Sequence, residues 1–454
     1  MGAEGGHRER KRSCAPSPAV ISFTSAMKLP LLLTVLSFAS LQAADWPRFL
    51  GPNGAAVVEE VAVPTTWSQT ENLAWKKDLP GPGSSSPIVV GDKVLVTFWS
   101  GYGDKPEAKD PKKLQRHLLC LNLADGCKRW EAIVASSAAE DPYEGFITEH
   151  GYATHTPVSD GEHVYVFFGK SGAYAFDLDG QQLWKASLGT GSGSRRWGSG
   201  GSPILYKDML IVNATDESQA LYALDKKTGK QLWKAGGDKI DLAYGTPSIM
   251  ESGGRTDLVF AIADEVWGLN PDTGKMRWFA THGLPGNISP CLIQDGDKAY
   301  LFGGYPTQGS AAIKLGGQGD VTSTHILWTS KTSSYVPTPV LHKGHLYVVN
   351  DQGFAICMDA KTGQDIYRER VIDTGGGRGR GKPFYASPVL IGDRLYCVSR
   401  RGGTYVLSAK PVFERLAHNT LAGDESQFHG SPAVVGDRLL LRSEKALYCI
   451  QDSK

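Results

Sequence analysis

The chain has 454 residues, with 48 Lys and Arg against 47 Asp and Glu and a formal net charge of +1. That balance excludes a global basic field for nucleic acid. With 54 glycines, the composition suits a fold built largely of tight turns, in which aromatic side chains supply much of the buried area.

Residues 1–26, with Arg8-Glu9-Arg10-Lys11-Arg12 and Pro16-Ser17-Pro18, do not resemble the remainder and are expected to be an over-extended gene start. Met27-Lys28, the apolar run from Leu29 to Ala39 and the small pair Ala43-Ala44 read as a secretory signal peptide over residues 27–44. Its apolar core is too short to cross a bilayer. No cysteine follows it at a lipoprotein position. The expected location is periplasmic or secreted, with no transmembrane span. Residues 45–71 form a lead-in segment, and the repeat region runs from 72 to 454.

Eight Ser-Pro or Thr-Pro dipeptides punctuate that region: Ser86, Thr156, Ser202, Thr246, Ser289, Thr338, Ser387 and Ser431, each followed by Pro. After a first interval of 70, the spacings are 46, 44, 43, 49, 49 and 44. A period of about 40–50 residues in a strand-rich chain signals a propeller. The third unit is the clearest. Strands are expected at Ser202–Tyr206, Met209–Asn213, Ala220–Asp225 and Lys230–Lys234, separated by turns at Lys207-Asp208 and Lys226-Lys227-Thr228-Gly229. Proline at the first position of a strand is tolerated because no ladder bond needs its missing N–H. No segment shows helical periodicity over several turns.

The last strand of each unit carries an aromatic residue: Trp130, Trp184, Trp233, Trp278, Trp328 and Tyr367. Unit seven degrades near Phe413, and unit eight lacks its last strand. Asn72-Leu73-Ala74-Trp75-Lys76 has that strand's pattern and is expected to close the ring, which removes the open edges that promote aggregation. The fold class is therefore all-β, an eight-bladed β-propeller of four-stranded antiparallel blades. Cys120, Cys357 and Cys449 fall at the third-strand position held by Ala175 and Ala223, where a small apolar residue fits. Cys291 and Cys397 also fall on strands. Free buried thiols are expected, with Cys120–Cys127 the one pairing worth testing.

The run Leu221-Tyr222-Ala223-Leu224-Asp225, Thr228-Gly229-Lys230, Leu232-Trp233 resembles the pyrroloquinoline-quinone (PQQ) type repeat, over roughly Trp67 to Ile450. Asp45-Trp46-Pro47-Arg48-Phe49-Leu50-Gly51-Pro52 resembles the start of secreted PQQ-like propellers. The resemblance implies eight blades. It also implies that Trp75, Trp130, Trp184, Trp233, Trp278 and Trp328 dock between neighbouring blades. The superfamily includes quinoprotein alcohol dehydrogenases and the outer-membrane assembly factor BamB. BamB is a lipoprotein, so the chain departs from it at the leader.

Loops that join successive blades should ring the mouth of the central channel, where function usually lives over a rigid scaffold. They carry His150, Tyr152 and His155; Arg195, Arg196 and Trp197; Tyr244; Asn287; Tyr335; Arg378, Arg380, Lys382 and Tyr385; and Phe428 with His429. Arg400 and Arg401 come from the second-to-third-strand loop of unit seven. An aromatic, cationic funnel of this kind suits a small anionic or sugar-like ligand.

No catalytic residue or metal site is expected. There is no adjacent Cys pair of the kind PQQ dehydrogenases carry, no haem-attachment motif, no G-x-S-x-G and no HExxH. Asp216-Glu217 and Asp264-Glu265 read as solvated turn carboxylates. The expected function is an exported, non-catalytic scaffold of the cell envelope, similar to BamB, with envelope or secreted proteins as partners and no cofactor. The alternatives are a quinoprotein-type oxidoreductase using PQQ with calcium, and a polysaccharide- or metabolite-binding propeller.

Overall fold

Two residues after each Ser/Thr of the punctuating dipeptides, with one exception, the chain enters a short innermost strand. The computed structural model describes residues 45–137, 140–237, 240–372 and 382–453. The expected gene-start extension and signal peptide lie outside the described residues, and no helix among those described is long and apolar enough to cross a membrane.

Blade three runs through Ile204–Tyr206, Met209–Ala214, Ala220–Asp225 and Gln231–Gly236, paired in that order and all antiparallel. The seven other blades repeat this meander. Blade eight takes its outermost strand from the start of the repeat region: Leu73–Asp78 pairs antiparallel with Ala446–Ile450. The expected ring closure is therefore formed. Arg442 reinforces it, reaching from blade eight to the backbone carbonyls of Ser85 (2.8 Å) and Thr97 in blade one.

The Ser/Thr-Pro dipeptides have a physical reason beyond punctuation. The Ser86 N–H donates to the Thr156 hydroxyl at 2.9 Å, Thr156 N–H to Ser202, and Ser202 N–H to Thr246. The circle resumes from Thr338 to Ser387, Ser387 to Ser431, and Ser431 back to Ser86. Each hydroxyl satisfies a buried N–H of the neighbouring blade. The following proline offers no N–H to satisfy and holds the residue before it extended.

In blade five the belt position is Cys291, not Ser289. The inner strand begins at Ile293, Cys291 N–H donates to the Thr338 hydroxyl at 2.9 Å, and a backbone hydrogen bond joins Thr246 to the Cys291 thiol. An irregular entry loop shifted the dipeptide by two residues and misled the spacing count.

In all eight blades the outermost strand carries a β-bulge at the aromatic position. The residue just before the aromatic is thereby turned out. Leu183, Leu232, Leu327, Ile366 and Leu416 are exposed there, on edges whose bulges hinder pairing with other chains. Opposite the aromatic, the third strand holds a small residue: Cys120 faces Trp130, Ala175 faces Trp184, Ala223 faces Trp233, Cys357 faces Tyr367 and Cys449 faces Trp75. In degenerate blade seven the partners invert, with Val406 filling the space opposite Ala417. Cys120, Cys291, Cys357, Cys397 and Cys449 are buried free thiols, so no bridge joins Cys120 to Cys127.

Five tryptophans dock as expected. Trp75, Trp130, Trp184, Trp233 and Trp328 each donate Nε1–H to a carbonyl of the next blade, at Leu123, Leu178, Lys226, Pro271 and Ala360. The ring covers the glycine of that blade's third turn. A Cβ on Gly274 would come within 2.6 Å of Trp233, and Gly274 has φ +69°, so both space and backbone demand glycine.

Trp278 does not dock this way. It donates instead to Asp257 of its own blade at 2.8 Å and is fully buried. The next blade lacks the tight turn and inserts residues whose Gly319–Asp320 pairs in parallel with the Trp278 strand.

The lead-in segment lies on the side of the first-to-second-strand turns, where Asp45 accepts from Gly91 N–H and Glu60 meets Arg394. Val57–Val58 adds in parallel to Val389–Ile391 of blade seven, and Trp46, Leu50, Val63 and Trp67 are buried.

Candidate functional site at the channel mouth

A cavity of about 150 Å³ occupies the channel at the belt. Phe49 of the lead-in segment lines it, with the belt hydroxyls and the interblade loops around it. Of the residues expected at the mouth, His150, Trp197, Tyr244, Asn287, Tyr335, Tyr385 and His429 line this cavity. Arg378 and Arg380 fall outside the described residues.

The connection from blade one to blade two accounts for much of the long first interval and forms a cover. Its short 3-10 helix, Gly145–Glu149, places Phe146 4.5 Å from the Trp197 ring and 6.5 Å from that of Tyr335. Glu149 pairs with Arg400 of blade seven, across the mouth. His150 bonds the Thr154 hydroxyl at 2.7 Å and the Trp197 carbonyl at 2.8 Å. A carbonyl only accepts, so Nε2 carries the proton. Burial holds this imidazole neutral, pushed down to about 4. His429 is likewise pushed down by burial, and burial raises Tyr244, Tyr335 and Tyr385. These groups stay uncharged near neutral pH.

Three rim cations lie over rim aromatics: Arg195 over Trp197 (5.0 Å), Lys382 over Tyr335 (3.3 Å) and Tyr305 (5.5 Å), and Arg400 over Tyr385 (4.4 Å). Lys382 also pairs with Asp351 at 3.3 Å. Arg195, Arg196 and Arg401 are exposed. Arg400 is not: it is buried between Glu149 and Tyr385.

Tyr152 and His155 belong to the wall behind the cavity. The Tyr152 hydroxyl donates to the Asp141 carbonyl, and its ring packs with those of Trp99, Tyr102 and Tyr143. His155 bonds the Ser199 hydroxyl at 3.0 Å and is pushed down to about 3 by burial. Phe428 packs on Tyr448 instead of facing the channel.

Asp216 and Glu217 are not solvated. They sit on a one-turn helix, Thr215–Ser218, and both are buried. A four-residue helix leaves no periodicity to read, so the segment reads as a polar turn. Among the described residues no group of three His, Cys, Asp or Glu is placed to hold a metal ion.

The family model described as outer membrane protein assembly factor BamB matches residues 51–195 and 115–369. BamB from Alkalilimnicola ehrlichii is 30% identical over 226 residues, 48% of this chain, which spans about half (49%) of that relative's length. BamB from Burkholderia pseudomallei is 25% identical over 75% of this chain and 81% of its own. A polyvinylalcohol dehydrogenase from Pseudomonas sp. is 24% identical over 45% of this chain and 35% of its own length. Among solved structures, BamB from Moraxella catarrhalis matches with TM-score 0.57 at 14% identity, covering 83% of this chain and 96% of that one. A europium-containing methanol dehydrogenase matches with TM-score 0.59 at 11% identity, covering 88% of this chain and 89% of that one. At such identities the structural matches establish the fold. The family model spans well over half of the sequence, so this closed ring of eight bulged blades, five of them docked through a tryptophan, belongs to the BamB family of PQQ-like β-propellers.

Proposed function

We propose that the chain is an exported, non-catalytic scaffold of the cell envelope that docks protein partners through the mouth face. The observation that carries this reading is the rim itself. Trp197, Tyr335 and Tyr385 each lie under a cation, and Arg195, Arg196 and Arg401 present charge outward around a cavity whose histidines and tyrosines stay neutral. Such a surface favours binding over proton transfer: aromatic and arginine side chains are the common anchors of interfaces, whereas a general base needs a pKa near the working pH. Membership of the BamB family supports it.

The second reading, a quinoprotein-type oxidoreductase, draws on the partial likeness to polyvinylalcohol dehydrogenase and on the aromatic walls of the cavity. The residues present do not fit PQQ with calcium. No two cysteines are adjacent, and among the described residues no group of three His, Cys, Asp or Glu is placed to hold a metal ion.

A working cofactor would raise stability by roughly 2.7 kcal/mol at a hundredfold excess over its dissociation constant. Incubation with PQQ and calcium should therefore leave the melting temperature unchanged, with no alcohol-dependent dye reduction. Dye reduction that disappears in Trp197→Ala would transfer the assignment to the oxidoreductase.

A further inference from the structure

Beneath the cover, between blades one, two and three, lies a buried nest of charge that the docking reading does not use. Four carboxylates meet two cations there. Arg116 holds Glu140 through two bonds of 2.8 Å. Lys170 holds Asp141 at 2.8 Å, and Ser192 bridges the two, donating to Asp141 at 2.7 Å and accepting from Lys170 at 2.7 Å. Both cations are thus matched to other acids. Asp216 and Glu217 remain, each only 4% exposed. No side chain donates to either oxygen of Asp216 or to Glu217 Oε2. Glu217 Oε1 lies 2.5 Å from Ser199 Oγ, which in turn lies 3.0 Å from His155 Nε2.

The segment draped over this pair is the wall of the mouth. Gly191 N–H donates to the Glu217 carbonyl at 2.8 Å, and a Cβ on Gly193 would meet Asp216 Oδ1 at 2.5 Å. Two residues further on come Arg195, Arg196 and Trp197, whose carbonyl receives His150 of the cover. Charge placed on Asp216 and Glu217 therefore acts directly on the connection that holds the cover in place.

We propose that this nest is a proton-operated latch: with Asp216 and Glu217 protonated the cover and the Trp197 loop stay packed over the channel, and loss of those protons opens the mouth. Ionising both acids would bury two more negative charges beside Asp141 and Asp241, with Lys170, already paired with Asp141, as the cation that offsets them in part; that is costly in a low-dielectric site. In the protonated form, Glu217 can donate to Ser199 and Ser199 to the neutral His155.

Burial, with Asp241 and Asp141 nearby, pushes Asp216 up to about 7, and burial beside Asp216 pushes Glu217 up to about 8. Raised acid pKa values stabilise the closed form fully below the ordinary carboxylate range. That stabilisation is lost as pH rises through 7 to 8. The neighbouring imidazoles do not compete in this window, because His150 and His155 lose their protons near 4 and 3. Tyr244, which also faces Asp216, is raised by burial and stays protonated there.

The test is fluorine NMR of the full chain carrying fluorotryptophan, with the Trp197 signal identified by its absence in Trp197→Phe. Between pH 6 and 9 that signal should shift with a midpoint between 7 and 8, and the shift should vanish in the Asp216→Asn/Glu217→Gln double variant. If the double variant does not fold, Glu217→Gln alone should move the midpoint. A flat titration, or one that the variants leave unaltered, would overturn the latch. So would a shift suppressed by millimolar calcium or magnesium and restored by chelator, since the nest would then be balanced by a metal cation. None of these outcomes bears on whether the mouth docks a protein.

Discussion

Removing residues 45–78 should leave a chain that aggregates or loses most of its stability. The deletion exposes the full edge of Ala446–Ile450, which pairs with Leu73–Asp78 in the intact ring. It also removes the buried side chains of Trp46, Leu50, Trp67 and Trp75. Burying each such group contributes about 1.5–3 kcal/mol, so four together rival the roughly 5–15 kcal/mol that holds a typical domain folded. Two losses therefore coincide, one of packing and one of edge protection. Size-exclusion chromatography and thermal melting check the outcome. A soluble, monodisperse deletion variant with an unchanged melting temperature would mean that the ring does not depend on closure by Leu73–Asp78.

Trp233→Ala should cost about 3–5 kcal/mol, the range for deleting a large buried aromatic side chain. The indole is 7% exposed. It packs on Gly274 and donates to the Pro271 carbonyl at 3.0 Å, so the variant leaves both a cavity and an unpaired carbonyl between two blades. Partial collapse is opposed because Gly274 has no side chain to move into the gap. A urea unfolding series monitored by circular dichroism gives the cost directly. A loss below about 1 kcal/mol would contradict interblade docking as a source of stability.

Much of the fold was legible because propellers repeat their physics. The Ser/Thr-Pro period marks a belt in which each hydroxyl accepts from the preceding blade's N–H, and the aromatic positions mark bulges and docking glycines. Two blades depart from the rule. Ser289-Pro290 looked like the belt, but Cys291 carries it, because a thiol can take a hydroxyl's place and the entry loop is two residues longer. Trp278 looked like a docking residue, yet its neighbour lacks the receiving turn.

At the mouth, loop position alone found seven cavity-lining residues. It could not separate Tyr152 and His155, which face the wall, from those facing the channel, nor foresee that Glu149 would bury Arg400. The burial of Asp216-Glu217 was illegible for a related reason. It is created by the blade-one and blade-two connections folding over a single helical turn, a long-range effect with no local pattern.

Docking of a protein partner by the mouth face is open to direct test in cells. A photo-crosslinking residue placed at Arg196 or Arg401, on the mouth side, should yield discrete higher-mass protein adducts in cells expressing the chain. The same residue at Asp208 or Lys343, in first-to-second-strand turns on the opposite side, should yield none. Adducts from Asp208 and Lys343 with none from Arg196 and Arg401 would contradict it.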